Sequence, residues 1–170
     1  MTNDNREFTV TRTFKAPRDF MFKAWTDSKQ MQKWFGPKGF KGEAVRQDLK
    51  PGGMYLYNLT GADGNKMWGK AVYREITPPS KLVWVNSFSD PEGGTTTHPM
   101  NPTWPREMLT TVTFDEDGAD KTKVTVRWIP INATPDEQKT FNEGFASMEQ
   151  GWAGTMERLE EFVNKEAKAA

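Results

Sequence analysis

Residues 8–14 alternate strictly between apolar and polar side chains. Phe8, Val10 and Phe14 share one parity, and threonines occupy every position of the other. This alternation predicts a strand with one buried face. Six later segments have strand-like patterns and are separated by turn residues: Phe40–Leu49, Met54–Thr60, Met67–Ile76, Leu82–Phe88, Met108–Phe114 and Lys123–Trp128. Strands that follow one another in sequence favour an antiparallel sheet, here of about seven strands.

Two short helices are predicted between the first and second strands. Pro17 stops the strand and suits the first position of a helix. Bulky apolar residues then recur at helical spacing. Asp27, with Gln30 three residues later, predicts a capping box at the start of the second helix.

The last part of the chain changes to a period of 3.6 residues. Thr134 and Glu137 predict a capping box at the start of one long helix. Its apolar residues form one continuous stripe: Phe141, Phe145, Met148, Trp152, Met156, Leu159 and Val163. Gly144, Gly151 and Gly154 each cost a helix about 1 kcal/mol relative to alanine. We therefore expect a strand or a ligand to approach them closely, and we expect the tail at 165–170 to fray.

These patterns together predict an α+β fold in a single domain, residues 1–170. An antiparallel sheet with one dry face would curve around the long helix, and the two short helices would close one end. Ser89–Arg106 is a long segment with four prolines and the only histidine of the chain. Long loops of this kind often act as lids or binding loops.

Composition excludes several classes of function. Lysine plus arginine and aspartate plus glutamate each number 23, so the basic excess typical of nucleic-acid binders is missing. The chain has no cysteine, which excludes disulfides and thiolate metal sites. The polar start lacks the apolar core of a signal peptide, and no segment has enough apolar residues to cross a membrane. We expect a cytoplasmic protein without membrane insertion.

Aromatic and sulfur-containing side chains are abundant: 7 tryptophans, 11 phenylalanines and 9 methionines. Such side chains fill cores, and they also line adaptable apolar cavities. Composition alone favours the core interpretation.

Several motifs resemble the bacterial homologues of the heat-shock-protein ATPase activator, within the START-like or SRPBCC superfamily that includes polyketide cyclases and the major birch-pollen allergen. The matching segments are TRTFKAP (11–17), FKAWTD (22–27), WFGP (34–37), DLKPGG (48–53), YREITPPSKL (73–82) and Gly151-Trp152 followed by Met156 and Leu159. They cover nearly the whole chain.

This resemblance implies the helix-grip fold, with a cavity between sheet and helix. Members of the superfamily bind lipids, polyketides, hormones and other apolar molecules, and a minority catalyse reactions. The co-chaperone role of the eukaryotic activator depends on a further N-terminal domain, so we do not expect chaperone activation here.

We predict that the ligand contacts aromatic and neighbouring residues near the middle of the long helix and on the facing strands. This predicted set comprises Arg12, Trp25, Trp34, Phe35, Tyr57, Trp68, Trp84, Asn86, Phe145, Met148 and Trp152. Pockets of this kind are mostly apolar and have a few polar anchors.

Three polar residues could contribute chemistry. Arg12 has the parity of the buried face and could bind a ligand carboxylate or phenolate. We favour a structural ion pair with a carboxylate such as Glu75 or Glu149, or an outward turn at a bulge. Asn86 could orient a ligand or bond to backbone or water. His98 could be a general base, although a structural or exposed role is favoured because it has no partner nearby in sequence.

Three functions follow, in order of preference. The first is binding of a small hydrophobic molecule that is aromatic, lipid or polyketide-like. The second is an enzyme of cyclase or hydrolase type in the same cavity, and the third is a protein-interaction module.

Nucleophile-elbow and phosphate-loop motifs are missing, and we predict no catalytic set, cofactor or metal. We expect a monomer or weak homodimer.

Overall fold

The computed structural model describes residues 6–169, with side chains up to residue 167. Within this range eight strands and four helices form. In chain order they are β1 (Phe8–Phe14), α1 (Arg18–Thr26), α2 (Ser28–Trp34), β2 (Lys41–Gln47), β3 (Met54–Thr60), β4 (Lys66–Thr77), β5 (Lys81–Ser89), β6 (Thr95–Thr96), β7 (Met108–Glu116), β8 (Thr122–Pro130), α3 (Pro135–Glu143) and α4 (Phe145–Ala169).

The strands form one antiparallel sheet in the order β1-β8-β7-β5-β4-β3-β2, and β6 pairs with β5 beside this path. The first strand lies next to the last, with Phe8 opposite Trp128 and Val10 opposite Val126. This arrangement confirms the predicted α+β helix-grip architecture. The seven predicted strands are all present, and the short β6 is an addition from within the predicted Ser89–Arg106 loop.

Two register shifts interrupt the ladder. One lies between Ala44 and Arg46 in β2, and the other between Tyr73 and Glu75 in β4. A bulged strand bends and twists more strongly than a regular strand. The sheet therefore curves, and its concave face can wrap a helix.

The concave face and α4 form the core. On β7, Met108, Thr110, Val112 and Phe114 are buried at every second position, as the strand period requires. α1 and α2 close one end of the sheet, where the ring of Phe22 meets Phe114 edge-to-face at 5.4 Å.

The predicted single C-terminal helix is wrong at one point, because it divides into α3 and α4 at Gly144. The capping box of Thr134 and Glu137 is present as predicted. A Cβ built at Gly144 would lie only 3.2 Å from the ring of Trp104, so the indole occupies the space beside this glycine. The close approach expected at Gly144 thus comes from a side chain of the Ser89–Arg106 segment.

Two further differences concern helix ends. Asp27 caps α2 by accepting a hydrogen bond from the amide of Lys29, and Gln30 Oε1 has no hydrogen-bond partner in the described structure. The predicted capping box at this position is therefore wrong. α4 continues to Ala169, beyond the point where we expected fraying. No helix within residues 6–169 is long and apolar enough to span a membrane.

Candidate functional site

A cavity of about 720 Å³ lies between the concave face of the sheet and the first half of α4, and it opens to solvent. Side chains of β3, β4 and β5 form one wall, and Met148, Gly151 and Trp152 of α4 form the opposite wall. The His98–Pro105 part of the loop and the end of α3 complete the lining. Glu143 there is exposed to solvent, and we call this part of the rim the mouth. The volume is in the range of small-molecule pockets.

Two glycines shape the walls of this cavity, one on the helix and one on the sheet. Among the described residues, no atom outside the helix backbone lies within 4 Å of a Cβ built at Gly151. On the sheet, the ring of Tyr57 lies against Gly69 of the neighbouring strand, where a Cβ would be 2.6 Å from Tyr57 Cζ. Larger residues at these positions would therefore narrow the cavity or displace Tyr57 into it.

Six of the seven tryptophans line the cavity. Trp25 and Trp152 stack with their rings 15° from parallel and 6.4 Å apart. Trp128 meets Trp152 edge-to-face at 5.3 Å. Because these rings support one another, the aromatic wall is held in place by ring contacts as well as by the backbone.

Tyrosines of β3 and β4 add hydroxyl groups to the apolar wall. Tyr55 and Tyr57 stack at 5.3 Å. Burial raises the pKa of Tyr57 to about 12 and also raises the pKa values of Tyr55 and Tyr73. These phenols are therefore neutral at physiological pH. Gln47 Nε2 donates a hydrogen bond to the hydroxyl of Tyr73 at 3.1 Å, which orients that phenol.

Asn86 and His98 provide further polar groups. Asn86 Oδ1 accepts a short hydrogen bond from the hydroxyl of Thr110 on β7, so this amide oxygen is bonded within the protein. His98 Nδ1 accepts a hydrogen bond from the Met100 amide at 3.0 Å. Since that nitrogen acts as an acceptor, the proton of the neutral ring is on Nε2. Partial burial lowers the pKa of His98, which favours this neutral form.

Few acidic or basic side chains line the cavity. Across residues 6–169, no three histidine, aspartate or glutamate side chains lie together as a metal site would require. The described cavity wall contains one carboxylate, Glu143, and no lysine or arginine. The arrangement can enclose an apolar molecule and offer it hydroxyl, amide and imidazole groups.

A family model described as "Activator of Hsp90 ATPase homolog 1-like protein" matches residues 15–164. The chain belongs to this family. The resemblance predicted from the motifs is therefore confirmed, and the match covers both the cavity walls and the two short helices α1 and α2. We refer below to the AHSA1-like family.

Solved structures of bacterial proteins share the fold. One from Arthrobacter aurescens is 22% identical with a TM-score of 0.78, covering 94% of this chain and 86% of that chain. One from Nitrosomonas europaea is 24% identical with a TM-score of 0.74, and the match covers 100% of both chains. The AHSA1 protein of Silicibacter pomeroyi is 15% identical with a TM-score of 0.71, covering 95% of this chain and 99% of that one. No curated protein matches the sequence.

Most of the predicted ligand-binding residues lie at the cavity of this AHSA1-like protein. The residues that line it are Trp25, Phe35, Tyr57, Trp68, Trp84, Asn86, Met148 and Trp152. Whether they contact a ligand stays a prediction. The structure places the other three predicted residues, Arg12, Trp34 and Phe145, outside the cavity wall.

Arg12 lies near the second half of α4, away from the cavity. Its Nη1 is 3.7 Å from Glu160 Oε2, an ion pair on a partly exposed surface. Arg12 therefore forms an ion pair, as we favoured. Its partner is Glu160, and not Glu75 or Glu149. The helix partner could not be identified by strand parity, because parity gives the face of a strand and not the position along the helix that crosses it.

Trp34 and Phe145 are packed into the protein. Trp34 is fully buried, and its Nε1 donates a hydrogen bond to the Ala24 carbonyl at 3.1 Å. Phe145 meets the rings of Phe8 and Phe141 edge-to-face, each at 5.5 Å. Trp34 also meets the ring of Trp25, a residue of the cavity wall, at 4.8 Å.

Sequence reasoning missed several residues of the cavity wall. Tyr55 and Trp128 had a signal, because they share strand parity with Tyr57 and with buried Val126 respectively. Trp104 had none, since it lies in a loop without period, and His98 of the same loop was considered only for its possible chemistry. Their positions depend on how Ser89–Arg106 folds back against α3, where Thr140 donates a hydrogen bond to Thr103 at 2.8 Å.

Proposed function

We propose that this AHSA1-like protein binds a small, largely apolar, aromatic molecule in the cavity between the sheet and α4. The observation that carries this proposal is the concentration of six of the seven tryptophans around one solvent-accessible space. Side chains that served only to fill a core would leave no such volume, because protein interiors pack closely.

The energetics favour an apolar ligand. Burying about 200 Å² of ring surface at about 25 cal/mol per Å² contributes about 5 kcal/mol, before the cost of association. Tryptophan and tyrosine rings add offset or edge-to-face contacts with an aromatic ligand. Met31, Met67, Met108 and Met148 also line the space. Their flexible side chains can adjust to more than one ligand shape.

An enzyme of cyclase or hydrolase type is a second candidate. Asn86 and His98 both line the cavity, and the neutral imidazole could exchange a proton with a bound ligand. Arg12, the third residue considered for such chemistry, pairs with Glu160 outside the cavity. Binding therefore has more support than turnover. The cytoplasmic location and the oligomeric state stay predictions.

A filled cavity provides the sharpest test of the binding proposal. In Gly151→Leu the new side chain would enter the space beside Trp152, because nothing outside the helix backbone lies within 4 Å of a Cβ at Gly151 among the described residues. Gly154→Leu is the matched control. It makes the same change in the same helix, but its side chain would contact the exposed Lys38, whose Cγ lies 3.6 Å from a Cβ there.

We would titrate the wild-type protein and both variants with flavonoids, polyketide-like aromatics and fatty acids, using calorimetry and thermal shift. We expect saturable binding of aromatic ligands by the wild type and by Gly154→Leu. For Gly151→Leu we expect affinity to fall about tenfold or more, a loss of at least about 1.4 kcal/mol. Equal affinity in all three proteins would place the ligand outside the cavity. Conversion of a bound ligand to a product would support the enzymatic candidate.

A further inference from the structure

The charges around the cavity are unevenly distributed. The chain has 23 lysines and arginines, yet none of them belongs to the described cavity wall. The wall contains one carboxylate, Glu143. A ligand anion in this cavity would thus meet no cationic side chain, and burying an unpaired carboxylate is costly.

Glu143 is available to pair with a ligand. It is exposed at the mouth of the cavity, and no ion pair or hydrogen bond engages its carboxylate within the described part of the chain. It is also the last residue of α3, and no basic residue lies in the last turn of that helix. Its charge is therefore not offset by a basic side chain within that turn.

One indole ring lies next to Glu143, and others line the same cavity. Trp104 packs against Gly144, the residue that follows Glu143. Trp68, Trp104 and Trp128 are half-buried, so part of each ring surface is open to a ligand. The faces of indole rings attract cations, and tryptophan is the strongest side chain in this respect. His98 adds no opposing charge, because burial lowers its pKa and keeps the ring neutral.

From these observations we propose that the cavity selects apolar aromatic amines, with the ring among the tryptophans and the ammonium group at the mouth beside Glu143 and Trp104. This inference rests on the proposed function and names the class of ligand for the same cavity. The carboxylate and the indole attract the ammonium group, and the lack of a basic residue in the described wall disfavours anions of the same shape.

Three probes with one ring system test the selectivity: 1-naphthylmethylamine, 1-naphthylmethanol and 1-naphthoate. Calorimetric titration at low salt should give an affinity for the amine about fivefold above that of the alcohol, the size expected for one exposed ion pair with a cation–π contact. The naphthoate should bind about tenfold or more weakly than the alcohol. Added salt should reduce the preference for the amine and leave the alcohol unchanged.

Glu143→Gln keeps the shape of the side chain and removes its charge. We expect this variant to bind the alcohol like the wild type and to lose most of the preference for the amine. Glu149→Gln is the control, because Glu149 is an exposed carboxylate of α4 outside the described cavity wall and should leave all three affinities unchanged.

The outcomes separate the two proposals. Equal binding of amine, alcohol and naphthoate would overturn the selectivity and leave the binding function standing. An amine preference that persists in Glu143→Gln would overturn the role of this carboxylate. Binding of none of the three probes at millimolar concentration would overturn the binding function together with its selectivity.

Discussion

The two halves of the interface between α4 and the sheet differ in how they are filled. At the packed end, defined by Phe22, Phe114, Met156, Leu159 and Val163, every one of these side chains is buried in a continuous core. At the cavity end, defined by Met148, Gly151 and Trp152 with the facing strands, the same helix face borders a space of about 720 Å³.

The difference arises from what lies beside the helix. At the packed end α1 inserts the ring of Phe22, which meets Phe114 edge-to-face at 5.4 Å. At the cavity end the helix carries Gly151 in place of a large residue, and the Ser89–Arg106 segment and the end of α3 border the space without filling it. The apolar face of α4 thus forms core at one end of its interface with the sheet and cavity wall at the other, because the neighbouring elements fill only the first end.

Truncating one side chain at each end should reveal the difference in packing between the two ends most clearly. Leu159 is 0% exposed, so Leu159→Ala should lower the free energy of unfolding by about 2–5 kcal/mol. Met148 lines the cavity, so Met148→Ala enlarges an existing space that water can enter. We expect roughly half the loss there. Urea denaturation measures both values, and equal losses would mean that the two ends are packed alike.

Overpacking the sheet wall should have the next largest effect. In Gly69→Ala the new methyl group meets the ring of Tyr57, whose Cζ would lie 2.6 Å away. We expect a destabilisation of about 1–3 kcal/mol and weaker ligand binding as the ring shifts toward the cavity. Adding Tyr57→Leu should recover much of the lost stability in a double-mutant cycle. If the two changes were simply additive, the contact between these strands would not be the cause.

Helix propensity provides a smaller, opposite effect. Gly151→Ala and Gly154→Ala should each raise the free energy of unfolding by up to about 1 kcal/mol, since neither new Cβ meets a close contact. Only Gly151→Ala should also weaken binding, because only Gly151 lines the cavity. Chemical denaturation with parallel ligand titration tests the pair. Reduced binding in Gly154→Ala would mean that the ligand contacts α4 near Gly154 and not only near Gly151.

The smallest effect concerns the only histidine. Burial lowers the pKa of His98 from its ordinary value of 6.5, so the folded protein disfavours the charged ring. The unfolded chain then binds more protons at acidic pH. Stability from this group is complete above the unfolded pKa and is lost as pH falls through the folded pKa. NMR titration of the single imidazole should give a pKa below 6.5, and an apolar ligand should lower it further.

The imidazole titration has a clear control. His98→Gln should show a weaker loss of thermal stability on acidification than the wild type, because the titrating group is gone. An NMR pKa at or above the ordinary value would mean that the ring is solvated, and His98 would then lie outside the closed part of the mouth.

Most of the fold could be predicted from local patterns. Alternation in Phe8–Phe14 and in Met108–Phe114 identified strands that the structure confirms, since a strand places alternate side chains on opposite faces whatever its neighbours are. Thr134 and Glu137 identified a helix start for a similarly local reason. The family motifs identified the helix-grip arrangement.

Which residues line the cavity could be predicted only in part from the sequence. Trp25 and Trp34 lie on adjacent short helices with the same apolar pattern, yet Trp25 lines the cavity and Trp34 does not. The side chain that lies closest to Gly144, at the helix break, comes from Trp104, a loop residue distant in sequence. The partner of Arg12 depends on where α4 crosses β1. Each of these outcomes requires the relative positions of elements that periodicity does not encode.

The sequence by itself therefore determined the elements, their buried faces and the family, because these properties follow from the spacing of side chains along a helix or a strand. The tertiary structure alone decided which aromatic residues surround a space, where the helix breaks and which carboxylate lies at the mouth. A cavity exists where packed elements diverge, and the degree of divergence depends on the bulges, glycines and loop contacts of the whole chain acting together.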